Sequence, residues 1–178
     1  MTNKNVTKKI KRNKYRLIIG IVAAIALLIL IFSISNYFKE RAVSKYDDEI
    51  LIVKGDGDQL DSKTLKEIRK SGSENKTVYL NNGMEKVDIQ GVPIEKIIGD
   101  LNINLKDRSY LIVEDNDGNS KRFPMSAALE PERVYLVYKI NDSPLYDLTP
   151  SYGKMAIIDT SLDDSSSWIK NVKTIDIQ

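Results

Sequence analysis

Hydrophobic positions follow two regimes along this chain. One unbroken run lies near the N-terminus, and after it apolar residues either alternate with polar ones or recur every three to four positions. The run, Leu17 to Ile34, holds 18 uncharged and mostly aliphatic residues. As a helix it covers roughly 27 Å, close to the ~30 Å hydrocarbon core of a bilayer. Ser35, Asn36, Tyr37 and Phe38 extend the uncharged stretch to the depth where aromatic residues collect at membrane interfaces. The pattern predicts a single-pass signal-anchor helix over 17–38, in contact with the lipid bilayer through Leu17–Phe38.

Beyond it the periodicity shortens. Ile50-Leu51-Ile52-Val53, bounded by Gly55 and Gly57, reads as a buried strand. Thr64 and Glu67 form a capping box that opens a helix from Leu65 to about Lys70. Thr77–Leu80 and Met84–Ile89 flank Asn82-Gly83, a pair suited to a type I′ hairpin turn because both residues tolerate φ > 0. Pro93 at N1 then leads a helix with an apolar stripe of Ile94, Ile97, Ile98 and Leu101. A second hairpin is expected from Ser109–Glu114 and Ser120–Phe123 around Asp117-Gly118, followed by a helical turn near Ser126–Leu129. Strands are expected at Val134–Ile140, after which Asn141-Asp142 turns the chain, at Met155–Ile158, and at Val172–Ile177 behind Trp168. Short strands, hairpins and single-turn helices define an α+β class, not a parallel βαβ sheet.

Charge gives the run its expected orientation. Lys4, Lys8, Lys9, Lys11, Arg12, Lys14 and Arg16 precede it without an acid, so the N-terminus is expected in the cytoplasm and the rest outside the cell membrane. The competing reading is a cleaved signal peptide. The run exceeds a normal h-region, Ser33-Ile34-Ser35 is a poor cleavage site, and no Cys follows for lipid attachment. The division expected is a basic tail (1–16), the anchor (17–38), a charged stalk (39–49) and an outer domain (50–178). The formal net charge of +2 belongs to the tail: seven of 27 basic residues lie there, leaving 20 against 25 acids and a net −5 outside. An acidic outer domain argues against nucleic acid as a partner.

The residue types also limit the chemistry. Cys and His are both absent, so disulfides and most soft or imidazole metal sites are excluded. Two Asp-rich turns, Asp56/Asp58/Asp61 and Asp115/Asp117/Asn119, fail the EF-hand pattern, because placing Gly57 or Gly118 at position 6 puts Ile52 or Val113 at the first ligand position. Ser-x-x-Lys occurs three times, at Ser73/Lys76, Ser151/Lys154 and Ser167/Lys170, without its companion motifs, and reads as chance. Trp168, the sole tryptophan, reads first as a core plug whose N–H finds one partner, with a stacking platform as the sharper alternative.

Taken in order, five segments carry a family resemblance. They are Thr64–Ile68; Gly91-Val92-Pro93-Ile94 leading to Ile97-Ile98; Asp117-Gly118; Asn141–Leu145 before Gly153; and Trp168-Ile169-Lys170 before Ile175-Asp176-Ile177. This series resembles the oxidoreductase molybdopterin-binding domain, with its sulfite-oxidase-like fold, in a short single-domain bacterial form running from about Ile50 to Gln178. The resemblance implies a mixed β-core with short helices. In catalytic members it also implies a molybdenum held by one cysteine thiolate on the strand before the Gly-Val-Pro helix.

The matching stretch here, Thr77 to Gly83, offers Tyr79, Leu80 and Asn81 instead of a thiolate. The family's Gly-x-Pro-x-Arg segment corresponds to Gly153–Ile157 and lacks its Arg. No Arg-Arg pair precedes the run, as export of a cofactor-loaded chain would require. The expectation is therefore a non-catalytic member without cofactor, binding an envelope protein or a small ligand. Around a remnant pocket the candidates are Tyr79, Asn81 and Lys154 from the resemblance, with Arg122 and Tyr152 from neighbouring turns. The alternatives are a redox enzyme that binds a molybdopterin-type cofactor without cysteine, and a structural envelope subunit that acts through its span.

Overall fold

The computed structural model describes the backbone of residues 3–101 and 103–178. The side chains of 3–17 and 36 fall outside the description, and with them the basic cluster Lys4–Arg16, Leu17 and Asn36. The chain divides into two units, Met1–Arg41 and Ala42–Gln178. The first consists of helix α1, Asn3–Ser44, up to Arg41. From Ile18 onward this helix is long and apolar enough to cross a membrane, and its aliphatic side chains from Ile18 to Ile34 are exposed.

The second unit begins eight residues before Ile50, because eight of the eleven residues of the expected stalk are built into it. Val43, 1% exposed, lies in the main hydrophobic core. Leu65 N–H donates to the Glu49 carbonyl at 2.7 Å, Lys66 N–H to the Asp47 carbonyl at 3.1 Å, and Arg69 Nη1 to the Asp47 carboxylate at 2.7 Å. The run KERAVSKYDDE shows no apolar stripe because only Val43 and the partly buried Tyr46 anchor it to the core and polar bonds do the rest.

Two five-stranded sheets organise this unit. The first contains β1 (Ile50–Gly55), β2 (Asp58–Thr64), β5 (Tyr110–Asp115), β6 (Ser120–Pro124) and β10 (Val172–Ile177), in the order β2-β1-β10-β5-β6. The second contains β3 (Glu74–Leu80), β4 (Glu85–Pro93), β7 (Val134–Ile140), β8 (Ser143–Pro144) and β9 (Ala156–Asp159); β4, β8 and β9 all pair with β7. All pairings are antiparallel except β1 with β10. The short helices are α2 (Leu65–Lys70), α3 (Ile94–Gly99), α4 (Met125–Ala128) and α5 (Leu145–Leu148). This is the α+β architecture that the pattern predicts.

Side-chain alternation explains where the core sits. In β7, VYLVYKI, every residue is buried. Val134, Leu136 and Tyr138 join a core shared with Leu51, Val53, Leu111, Val113, Ile175 and Ile177 of the first sheet, while Tyr135 and Val137 face the other way. Successive strand residues point to opposite faces, so β7 divides two cores and reads as a continuous apolar run. The second core holds Val78, Leu80, Val87, Ile89, Leu145, Ile158 and Trp168.

Local chemistry matches at several points and departs at others. The Thr64/Glu67 capping box forms as expected. Pro93 is the N-cap of α3 and not N1, with Ile94, Ile97 and Ile98 buried. The β3–β4 connection is longer than a two-residue turn: Leu80 pairs with Glu85, and Asn81, Asn82 and Gly83 all have positive φ. Gly91 sits at a register shift in β4, where a Cβ would come 2.5 Å from the Leu136 carbonyl oxygen, so only glycine fits. Strand β2 was not expected, since DQLDSKT reads as a polar turn. It is an edge strand whose polar side chains face solvent, a composition that blunts an edge.

Candidate ligand-binding cleft

The five candidate residues do not converge. Tyr79 projects from β3 away from the core, 58% exposed. Asn81 turns the chain at φ 53°; its N–H donates to the Asp163 carbonyl at 2.8 Å and its side chain to Glu85 Oε2 at 3.1 Å. Arg122 is exposed on β6 with its guanidinium 4.8 Å from the Tyr110 ring centroid. Lys154 pairs with Glu49, far along the chain. Tyr152 alone adjoins a cleft, its ring edge-on to Trp168 at 6.4 Å.

That cleft has a volume of about 350 Å³ and is bordered by three segments distant in sequence. The first is the β5–β6 turn. The Asp115 carboxylate accepts from Asp117 N–H at 2.9 Å, Asn119 N–H at 2.8 Å and the Asn119 amide at 2.8 Å. These bonds, the Asn119 side chain foremost, hold the Asp115 carboxyl below the usual carboxylate range. The second is Ser166–Asn171, entered by a 3₁₀ turn (Ser165–Ser167) that Asp164 caps through Ser166 N–H at 2.8 Å. The third is Ser151, in the 3₁₀ turn Pro150–Tyr152.

Asn171 ties the three together. It adopts φ 52°, its carbonyl accepts from Asn116 N–H at 2.9 Å, and its N–H donates to the Tyr152 carbonyl at 2.7 Å. Gly153, at φ 66° and ψ −162°, packs so closely on it that a Cβ would lie 2.5 Å from Asn171 Cα. This backbone region is essentially restricted to glycine.

Two lysines and one indole give the cleft its character. Lys121 Nζ donates to the Ser167 carbonyl at 2.7 Å. Lys170 Nζ lies 4.5 Å from the Tyr152 ring centroid and has no carboxylate partner among the described residues. Trp168 is 8% exposed and plugs the second core, as the first of its two expected roles requires. Its indole N–H departs from that expectation: it is buried without a hydrogen-bond partner among the described residues. The structure thus adds Lys121, Lys170 and Asn171 to the candidates. The sequence signal for them was the aromatic-basic run Trp168–Lys170, seen only as a terminal motif.

A second groove, of about 270 Å³, lies over β3 and β4 and is lined by Asn75, Lys76, Thr77, Asp88, Gln90, Lys139 and Asp142 among others. Five of its polar side chains are already engaged. Thr77 Oγ1 donates to Asp88 Oδ1 at 2.6 Å, Lys76 Nζ donates to the Glu132 carbonyl, and Lys139 and Asp142 also have partners.

Sheet order, the two cores and the short helices define the sulfite-oxidase-like fold. Among solved structures the chain is similar to the sulfane dehydrogenase SoxCD from Paracoccus pantotrophus, with a TM-score of 0.57 and 18% identity over 74% of this chain. The match spans 38% of that chain's length, so it concerns one domain-sized part. No family model and no curated protein matches the sequence.

The residues of the β3 stretch do not fit a molybdenum centre of the kind the resemblance implies. Leu80, 3% exposed, is packed in the second core, Tyr79 points outward, and the Asn81 amide is engaged with Glu85. None of the three offers a soft thiolate donor. Among the described residues no group of three or more His, Cys, Asp or Glu is placed to hold a metal ion.

Proposed function

We propose that this chain is a single-pass membrane protein that displays a non-catalytic sulfite-oxidase-like domain outside the cell, and that the domain binds a small ligand in the cleft beside Trp168. The N-terminal cations favour an N-in orientation. The observation that carries the non-catalytic reading is Leu80, an aliphatic core residue on the strand where the resemblance places the metal's thiolate. The cleft supports binding, because its Ser166 and Ser167 hydroxyls and its Asp115 carboxylate are engaged in holding local turns. Ser166 Oγ donates to the Asp164 carboxylate and Ser167 Oγ to the Asp164 carbonyl, while Asp115 is consumed in its own turn.

The ligand chemistry follows from the lining. Lys170 and Lys121 favour an anionic group, and the Asn and Ser side chains favour hydroxyls, so the class is an anionic polyol such as a sugar acid or sugar phosphate. The test is a thermal-shift screen of the full chain in detergent against glucuronate, glucose 6-phosphate and uncharged glucose. A saturable shift with the acids, absent with glucose and lost in Lys170→Ala, supports the reading. Equal responses in the wild type and Lys170→Ala contradict it.

A further inference from the structure

Charge at the Trp168 cleft is balanced in number but not in pairing. Two carboxylates, Asp115 and Asp117, and two ammonium groups, Lys121 and Lys170, border it. One member of each sign is committed. Asp115 accepts three hydrogen bonds within its own turn, and Lys121 Nζ donates to the Ser167 carbonyl at 2.7 Å. The other two are open. Among the described residues neither the Asp117 carboxylate nor the Lys170 ammonium has a hydrogen bond or an ion pair, and Lys170 lies only against the Tyr152 ring.

Backbone bonds hold the two segments that carry them side by side. Asn116 N–H, one residue before Asp117, donates at 2.9 Å to the carbonyl of Asn171, one residue after Lys170. Asp117 N–H is bonded to the Asp115 carboxylate, and Asn171 is held at φ 52° with its own N–H on the Tyr152 carbonyl. Both segments are therefore fixed before any ligand arrives, which lowers the cost of binding one. An open cation and an open anion on one cavity have a simple complement, a molecule that carries both signs. A plain anion would satisfy Lys170 and be repelled by Asp117, a phosphate dianion more so. The hydroxyls of Ser120 and Ser151, also without a bond among the described residues, add neutral donors and acceptors to the wall. We propose that the cleft takes a zwitterionic amino sugar acid, its carboxylate on Lys170, its ammonium on Asp117 and its hydroxyls toward Ser120 and Ser151.

The proposal rests on the small-ligand reading of this cleft and narrows its class, and one experiment separates the two. The matched probes are D-gluconate, an acid without an amine, and D-glucosaminate, which adds the ammonium. Each is titrated into the full chain in detergent at low ionic strength by isothermal calorimetry. The expected result is about fivefold tighter binding of glucosaminate, the worth of one exposed charge pair. Asp117→Asn removes the charge from a side chain that holds no bond, so the turn is kept, and it should bring the two affinities together. Lys170→Ala should abolish saturable binding of both. Equal affinities for the two acids in the wild type, with both lost in Lys170→Ala, overturn this proposal alone. A preference for glucosaminate that survives in Asp117→Asn overturns it as well, because the ammonium then sits elsewhere. Saturable heat from neither acid overturns the small-ligand reading and this proposal with it.

Discussion

Strand β3 and the Trp168 cleft are both places where a sulfite-oxidase-like fold could hold a ligand, and they are finished to different degrees. Along β3 and into its turn most side chains are engaged: Val78 and Leu80 in the second core, Thr77 on Asp88, and Asn81, just past the strand, on Glu85. At the cleft, among the described residues, the indole N–H has no partner and Lys170 no carboxylate. An unpaired buried donor costs about 1–3 kcal/mol, so the indole N–H does not itself stabilise the cleft wall. In this chain β3 serves as framework, whereas polar groups left open among the described residues lie beside Trp168.

The largest test of this contrast is on β3 itself. Leu80→Ala should lower unfolding free energy by about 2–5 kcal/mol, as for other buried leucines, whereas Tyr79→Ala should stay within about 0.5 kcal/mol. Urea titration of the two variants checks this, and a mild Leu80 variant would show that the strand is not framework. Next in size is Gly153→Ala, which should cost about 1–3 kcal/mol from backbone strain alone and disturb Tyr152 and Asn171. Tyr152 and Asn171 resonances, followed by NMR, should shift while those of β3 hold still. Trp168→Phe should change stability by less than about 1 kcal/mol, because it deletes a donor that has no partner while keeping most of the ring's packing. A clear loss there would mean that the indole N–H is already satisfied.

The smallest effect concerns the loop that joins the two regions, from Asp159 past Asn81 to the 3₁₀ turn. Burial pushes the Asp159 carboxyl up, but the hydrogen bonds from Arg133, both at 3.2 Å, and from Ser161 outweigh it and leave it below its ordinary value. A carboxyl lowered in the folded state stabilises above its unfolded pKa of about 3.9, and that contribution fades as pH falls through the lower folded value. Urea midpoints measured from pH 6 downward should therefore show a shallower acid decline in Asp159→Asn than in the wild type.

Local signals carried much of the fold. The Thr64/Glu67 box, the buried run at β7 and the Gly91–Ile98 segment are each decided by neighbours within one turn or strand, and the structure has them. Strand β2 was illegible because an edge strand needs no apolar face, and α5 because four residues give no period. The cleft was illegible for a topological reason. Residues 115–121, 151 and 166–171 meet only when β10 pairs with β5 and Asn171 bonds both neighbouring turns, contacts that no spacing in the sequence reports.

Strand β3 places Val78 and Leu80 in the second core, and its neighbours offer no thiolate to a metal. The direct measurement is the molybdenum content and visible absorbance of the full-length chain, purified in detergent from a host that makes molybdopterin. The account predicts molybdenum far below one per chain and no cofactor band, with wild type and Leu80→Met alike. Stoichiometric molybdenum with a pterin chromophore would contradict it.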